Sequence, residues 1–196
     1  ASGVNGLDAS TEANSTWYYV WAIYNSATDT VASLLSTSHT SPTMPSGYAF
    51  KRLVGAVYND SAGNFVAFVQ RGTRVVYKAS QQILTGARSD AAWASAVTLA
   101  AYVPATITRR IFGYAEMTHN QGAGNYSVTL EFAADASGNY PGTKLLGLLL
   151  ASGGAVYTGG HFQQELTAQS FSYRTTDGAP AVISVNAYLQ GYCIEV

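Results

Sequence analysis

Apolar and polar residues alternate with a period of two along most of the chain, and clusters of Gly, Asn, Asp, Pro and Ser interrupt the alternation about every ten residues. This rhythm predicts short strands joined by tight turns. Strands are expected over residues 17–24, 31–36, 49–58, 64–71, 75–79, 97–101, 106–117, 126–133, 143–151, 161–173 and 181–194. A helical turn or two is expected only over 89–96, where Ser89 or Asp90 can cap Ala91-Ala92-Trp93-Ala94. The chain is therefore expected to be all-β, an antiparallel β-sandwich of jelly-roll-like character.

The run Trp17-Tyr18-Tyr19-Val20-Trp21-Ala22-Ile23-Tyr24 carries no charge. In a strand, Trp17, Tyr19, Trp21 and Ile23 point one way while Tyr18, Val20, Ala22 and Tyr24 point the other. Both faces are apolar or aromatic, so both need cover: the core on one side, and a second layer, a partner chain or a ligand on the other. Trp17, Tyr18, Tyr19, Trp21 and Tyr24 are accordingly expected in the core or at a subunit contact.

Turn chemistry places several loops. Asp60-Ser61-Ala62-Gly63-Asn64 joins two alternating runs and ends in the residue types that tolerate positive φ, and Asp135-Ala136-Ser137-Gly138-Asn139 repeats the pattern. Pro42-Thr43-Met44-Pro45-Ser46-Gly47 reads as a rigid crossing loop released at Gly47. Arg52-Leu53-Val54-Gly55 leading to Ala62-Gly63-Asn64-Phe65 is echoed by Arg110-Ile111-Phe112-Gly113 leading to Ala123-Gly124-Asn125-Tyr126, which suggests pseudo-repeat halves over 13–95 and 96–196. Residues 1–12 resemble a linker, and 13–196 are expected to form a single domain.

Composition sharpens this picture. Of the 196 residues only 11 % are charged, against about a quarter in ordinary soluble domains, while 14 Tyr and 19 Gly are present. A surface so poor in Lys and Glu suits one that is covered in an assembly, or an extracellular sandwich dressed in Ser, Thr and Asn. Net charge is −1 and the basic pairs Lys51-Arg52 and Arg109-Arg110 are isolated, which argues against nucleic acid as a partner. The longest strongly apolar run, 145–151, is too short to span a membrane. The single cysteine, Cys193, cannot form an intrachain disulfide and reads as a buried thiol.

Chemistry is sparse. His39, His119 and His161 lack the close spacing of metal ligands, the Asp60 and Asp135 loops carry too few oxygens for a calcium cage, and no Gly-x-Ser-x-Gly elbow occurs. No metal, cofactor or catalytic residue is expected. Glu116, Glu131, Glu165 and Asp135 are the carboxylates a glycosidase would draw on; Glu131 reads as part of a solvated strand face, and Glu116 and Glu131 as cross-strand neighbours if the hairpin between them is long. Tyr58, Trp93, Tyr126, Tyr140 and Tyr157, near loop ends or in the short helix, could stack on sugars; the same aromatics serve equally as cross-strand and subunit contacts.

At Trp17-Tyr18-Tyr19-Val20-Trp21, Leu34-Leu35-Ser36, Pro42-Thr43-Met44-Pro45-Ser46-Gly47-Tyr48 and Lys51-Arg52-Leu53-Val54-Gly55-Ala56-Val57, followed by Gly63-Asn64-Phe65, the chain resembles a structural module of tailed-bacteriophage virion proteins of the tail-fibre, receptor-binding or capsid-associated type. The likeness covers roughly the first 80 residues. It implies a fibre, spike or decoration module, assembled as a homo-oligomer with a trimer favoured. Other virion proteins would be its partners, and its place the extracellular particle surface after synthesis in the bacterial host cytoplasm. The resemblance brings no active-site residues. The alternative is a lectin-like module recognising host surface polysaccharide, and a third reading is a polysaccharide depolymerase.

Overall fold

A computed structural model describes residues 2–9, 11–88, 92–121, 126–149, 154–177 and 183–195. The chain is all-β, an antiparallel β-sandwich, and close contacts divide it into two compact units, Ala1–Ala67 with Ile194–Val196, and Phe68–Cys193. The sequence pattern alone predicts one domain over 13–196.

In the first unit β1 (Thr16–Asn25) lies between β2 (Thr30–Ser36) and β3 (Phe50–Asn59). Both pairings are antiparallel; Trp21 faces Leu34 on one side and Leu53 on the other, and a bulge between Val20 and Trp21 shifts the register against β3. The stretch read as a linker is tied down: Leu35 donates to the Gly6 carbonyl at 2.8 Å, and Asp8 donates back to Leu35 at 2.8 Å. The Asp8 carboxylate then accepts from the Ser36 hydroxyl at 2.6 Å and the Thr43 amide at 2.8 Å, which anchors the start of the proline loop.

The second unit pairs two sheets. One has the order β10-β7-β12-β5-β4, from β4 (Phe68–Arg71), β5 (Arg74–Arg88), β7 (Thr108–Gln121), β10 (Gly154–Glu165) and β12 (Ile183–Ile194). The other has the order β6-β11-β8-β9, from β6 (Val97–Thr98), β8 (Tyr126–Ala133), β9 (Lys144–Leu149) and β11 (Ser170–Asp177). Period two decides what is inside: Ile111, Ala115 and Met117 of β7 and Val128, Leu130 and Phe132 of β8 are buried, and so are Val185, Ala187 and Leu189 of β12. Across the core Phe132 stacks on Phe162 of β10, with ring centroids 4.7 Å apart, and Phe171 of β11 joins at 5.8 Å.

Several expected elements differ. The strand expected over 161–173 is two strands, because the intervening backbone groups pair elsewhere: the Leu166 amide donates to the Arg109 carbonyl at 2.8 Å, and the Gln169 carbonyl accepts from the Leu99 amide at 2.9 Å. Over 64–71 pairing begins only at Phe68, Phe65 making an isolated bridge to Asn59. The strand expected over 75–79 runs on to Arg88. Residues 92–96 of the expected helix are not helical, and the Ala94 amide bonds Tyr173 of β11 at 2.8 Å; residues 89–91 lie outside the described residues. Of the echoed turns, 122–125 also lie outside them.

The two Asp loops form as expected and in the same way. Asp60 Oδ1 accepts from the Ala62 and Asn64 amides at 2.8 and 2.9 Å, and Asp135 Oδ1 from Ser137 and Asn139 at 2.9 and 3.1 Å. Gly63 and Gly138 each take φ of +78°, which an L side chain resists.

Candidate functional site

β1 shows what its two faces do. On the first, Tyr19, Trp21 and Ile23 are buried, Trp21 donating its indole N–H to the Ser38 carbonyl at 3.2 Å with the Lys51 ammonium 5.4 Å from its ring, and the Trp17 ring lies tilted 5.2 Å from that of Tyr58 opposite it. The second face divides. Tyr18 is buried beside Phe65, and its hydroxyl accepts the Ala13 amide at 2.8 Å.

Further along the second face cover stops. Register brings Tyr24 between Val31 of β2 and Phe50 of β3, with Ala22 between Ser33 and Arg52 one pair further along. Val31 is 71 % exposed and Phe50 58 %, and the Tyr24 and Phe50 rings lie 6.0 Å apart. A shallow apolar depression runs along Ala22, Tyr24, Val31 and Phe50. Its rims carry opposite charges. Asp29, at the start of β2, accepts the Tyr24 hydroxyl on one carboxylate oxygen at 3.0 Å, and Arg52 on β3 is exposed with no carboxylate partner among the described residues.

The structure does not gather the predicted sugar-stacking aromatics into one site. Tyr58 is half-buried against Trp17. Trp93 is half-buried, with the Arg174 guanidinium 4.7 Å over its ring and Gly138 of the Asp135 loop so close to its edge that a Cβ there would sit 2.4 Å from the indole nitrogen. Tyr140, 64 % exposed, follows in that loop with φ of +48°, while Tyr157, 78 % exposed, stands on the edge strand β10 of the other sheet. The Tyr126 side chain lies outside the described residues.

The carboxylates are also dispersed. Glu131 is not on a solvated face but largely buried, held at 2.6 Å by Arg174 and at 2.7 Å by Lys144. Glu116 and Glu131 are not cross-strand neighbours, since β7 and β8 belong to different sheets; Glu116 accepts instead from the Asn186 amide at 3.2 Å and the Tyr188 hydroxyl at 3.5 Å. Glu165 pairs with Arg110, and Asp135, drawn below the usual carboxylate range chiefly by the Asn139 side chain, is spent on its turn. His39 lies 5.5 Å from the Tyr19 ring and His161 5.9 Å from Tyr114, while the His119 side chain lies outside the described residues. Among the described residues no three His, Cys, Asp or Glu gather as for a metal. Cys193 is half-buried rather than buried.

No protein-family model matches the chain, and no curated protein matches it.

Proposed function

We propose that this protein is a virion structural module, an exposed fibre, spike or decoration component of a tailed-phage particle, and that it binds further copies of itself through the open end of its first sheet. The observation that carries this reading is the pair of exposed side chains Val31 and Phe50 on either side of half-buried Tyr24, flanked by Asp29 and Arg52. Apolar side chains exposed in a row on a strand surface gain free energy when a second surface removes them from water. The charges select what that surface is: a copy of the same sheet brings an Arg52 to each Asp29, so the patch complements itself in a two-fold or a cyclic arrangement. The low charge of the whole chain and the resemblance of its first 80 or so residues to virion modules support the same reading. In it the chain binds rather than catalyses, with other virion proteins as further partners.

Sedimentation and light scattering at micromolar concentration test it. The expected result is a multimer that the double variant Val31→Thr, Phe50→Ser converts to monomer while the melting transition of the fold persists. A monomeric parent protein overturns the reading.

A further inference from the structure

On the outer face of the five-stranded sheet a pocket of about 550 Å³ opens between Arg74, Phe112, His161, Gln163 and Gln190. Four strands build it. Arg74 begins β5, Phe112 of β7 pairs with Gln163 of β10, and Gln190 stands where the register of β12 shifts between Leu189 and Gly191. Gly191 keeps the floor level: a Cβ there would lie 2.6 Å from the Phe112 ring and 2.1 Å from the Val75 carbonyl, so only glycine lets Phe112 lie across the strand. The Arg74 guanidinium sits over that ring, 4.1 Å from its centroid.

Stacking positions the guanidinium without using its N–H donors. Among the described residues the Arg74 guanidinium donates no hydrogen bond and has no carboxylate partner; Glu165 is held by Arg110 and Glu116 by Asn186 and Tyr188. The Gln163 amide donates to Thr143 Oγ1 at 2.9 Å and its carbonyl accepts from that hydroxyl at 3.2 Å, while its exposed side chain makes no hydrogen bond among the described residues. The pocket therefore offers a pre-set fork for a planar anion, an exposed imidazole, and two carboxamides that both donate and accept.

We propose that this pocket binds a carboxylate-bearing sugar, an acidic residue of a surface polysaccharide. The fork matches a carboxylate bidentately, and the carboxamides match ring hydroxyls, which need donors and acceptors together. A phosphate calls for donors only. The volume lies within the range of about 300–1,000 Å³ usual for small-molecule sites. None of the residues lining it belongs to the assembly surface or is one of Tyr58, Trp93, Tyr126, Tyr140 and Tyr157, and the proposal holds whether or not the chain self-associates.

Calorimetric titration of the full chain tests it with oligosaccharides of galacturonate, glucuronate and sialate, with their neutral methyl esters, and with inorganic phosphate. At least one acidic oligosaccharide is expected to bind, its ester at least tenfold more weakly, and phosphate not measurably. Arg74→Lys keeps the charge but loses the fork, and is expected to weaken binding tenfold or more, as is Arg74→Ala. Lys78→Ala, which removes one charge from the same strand, is expected to leave affinity unchanged. An unaltered melting transition in the Arg74 variants assigns their loss to the site. No heat from any acidic sugar, equal binding of the esters, binding of phosphate alone, or unchanged affinity in Arg74→Ala overturns the proposal.

Discussion

Arg174 and Glu131 stand opposite one another across β11 and β8, and both Nε and Nη2 of the guanidinium reach the same carboxylate oxygen, at 2.7 and 2.6 Å. On the other flank Lys144 of β9 is in register with Glu131 and takes its second oxygen at 2.7 Å. One carboxylate thus ties three strands together, and the arginine that holds it also covers Trp93. The Lys144 hydrogen bond first, and then those of Arg174, lower the Glu131 pKa against the opposing effect of burial.

Because the folded state holds Glu131 below its unfolded pKa of about 4.3, the stabilisation is fully present above that pH and is lost as pH falls through the folded value. Glu131→Gln is expected to cost about 2 kcal/mol at neutral pH, the scale of a hydrogen bond to a charged group. It is also expected to flatten the acid side of the stability profile. Urea unfolding of both proteins at pH 7 and near pH 3 measures the two effects, and parallel losses on acidification would count against the assignment.

Tyr77 supplies the alkaline counterpart. It is buried, its hydroxyl donates to the Tyr102 carbonyl, and its ring lies 5.8 Å from Tyr192. Burial chiefly, then the neighbouring Tyr192, push its pKa far up. The unfolded chain releases this proton near pH 10 while the folded chain keeps it, so Tyr77 makes stability fall as pH rises beyond about 10. Tyr77→Phe is expected to lose about 1 kcal/mol at pH 7, from the unmet Tyr102 carbonyl, and to show an alkaline decline shallower by one proton. Unfolding curves at pH 8 and 10.5 compare the slopes.

Gly113 and Gly72 separate two reasons for glycine. At Gly113 a Cβ would lie 2.1 Å from the Tyr188 carbonyl and 2.9 Å from the Phe162 ring, both fixed inside the second unit. Gly113→Ala is therefore expected to cost more than about 3 kcal/mol, because backbone and core must move together. At Gly72, in the β4–β5 turn, φ is +58° and nothing lies within 4 Å, so Gly72→Ala meets only the left-handed penalty of about 1 kcal/mol. Thermal melts of the two variants should differ widely, and equal losses would refute the steric account of Gly113.

The elements that were legible in the sequence are those written by local chemistry. Period two placed β1, β2 and β3 to within a residue or so, and Asp at the start with Gly before Asn at the end placed the turns at Asp60 and Asp135. The break between β10 and β11 had no such mark. Residues 161–173 contain neither Gly nor Pro, and the interruption comes from backbone groups paired far away in sequence, the Leu166 amide with the Arg109 carbonyl and the Gln169 carbonyl with the Leu99 amide. Glu131 looked solvated because its partners, Arg174 and Lys144, arrive from strands 43 and 13 residues along. The Arg74 pocket was hidden for the same reason, since Arg74, Phe112, His161 and Gln190 meet only when β5, β7, β10 and β12 pair. The aromatics picked for sugar binding include Tyr58 and Trp93, whose rings are occupied by Trp17 and Arg174.

The proposed self-association surface makes the most demanding prediction. If Arg52 of one copy meets Asp29 of the next, reversing either charge sets like charges together in a partly desolvated contact, which costs more than losing an attraction. Arg52→Asp alone and Asp29→Arg alone are each expected to weaken assembly at least tenfold. Combining them restores opposite charges in exchanged positions and is expected to recover most of the affinity. Sedimentation equilibrium of the four proteins reads the cycle directly. The Tyr24 hydroxyl leans on Asp29, so Asp29→Arg also removes that support, and Tyr24→Phe measures how much of its loss is local rather than electrostatic. Rescue in the double variant requires the two residues to meet across the contact, whereas additive losses would place the interface on another face of the molecule.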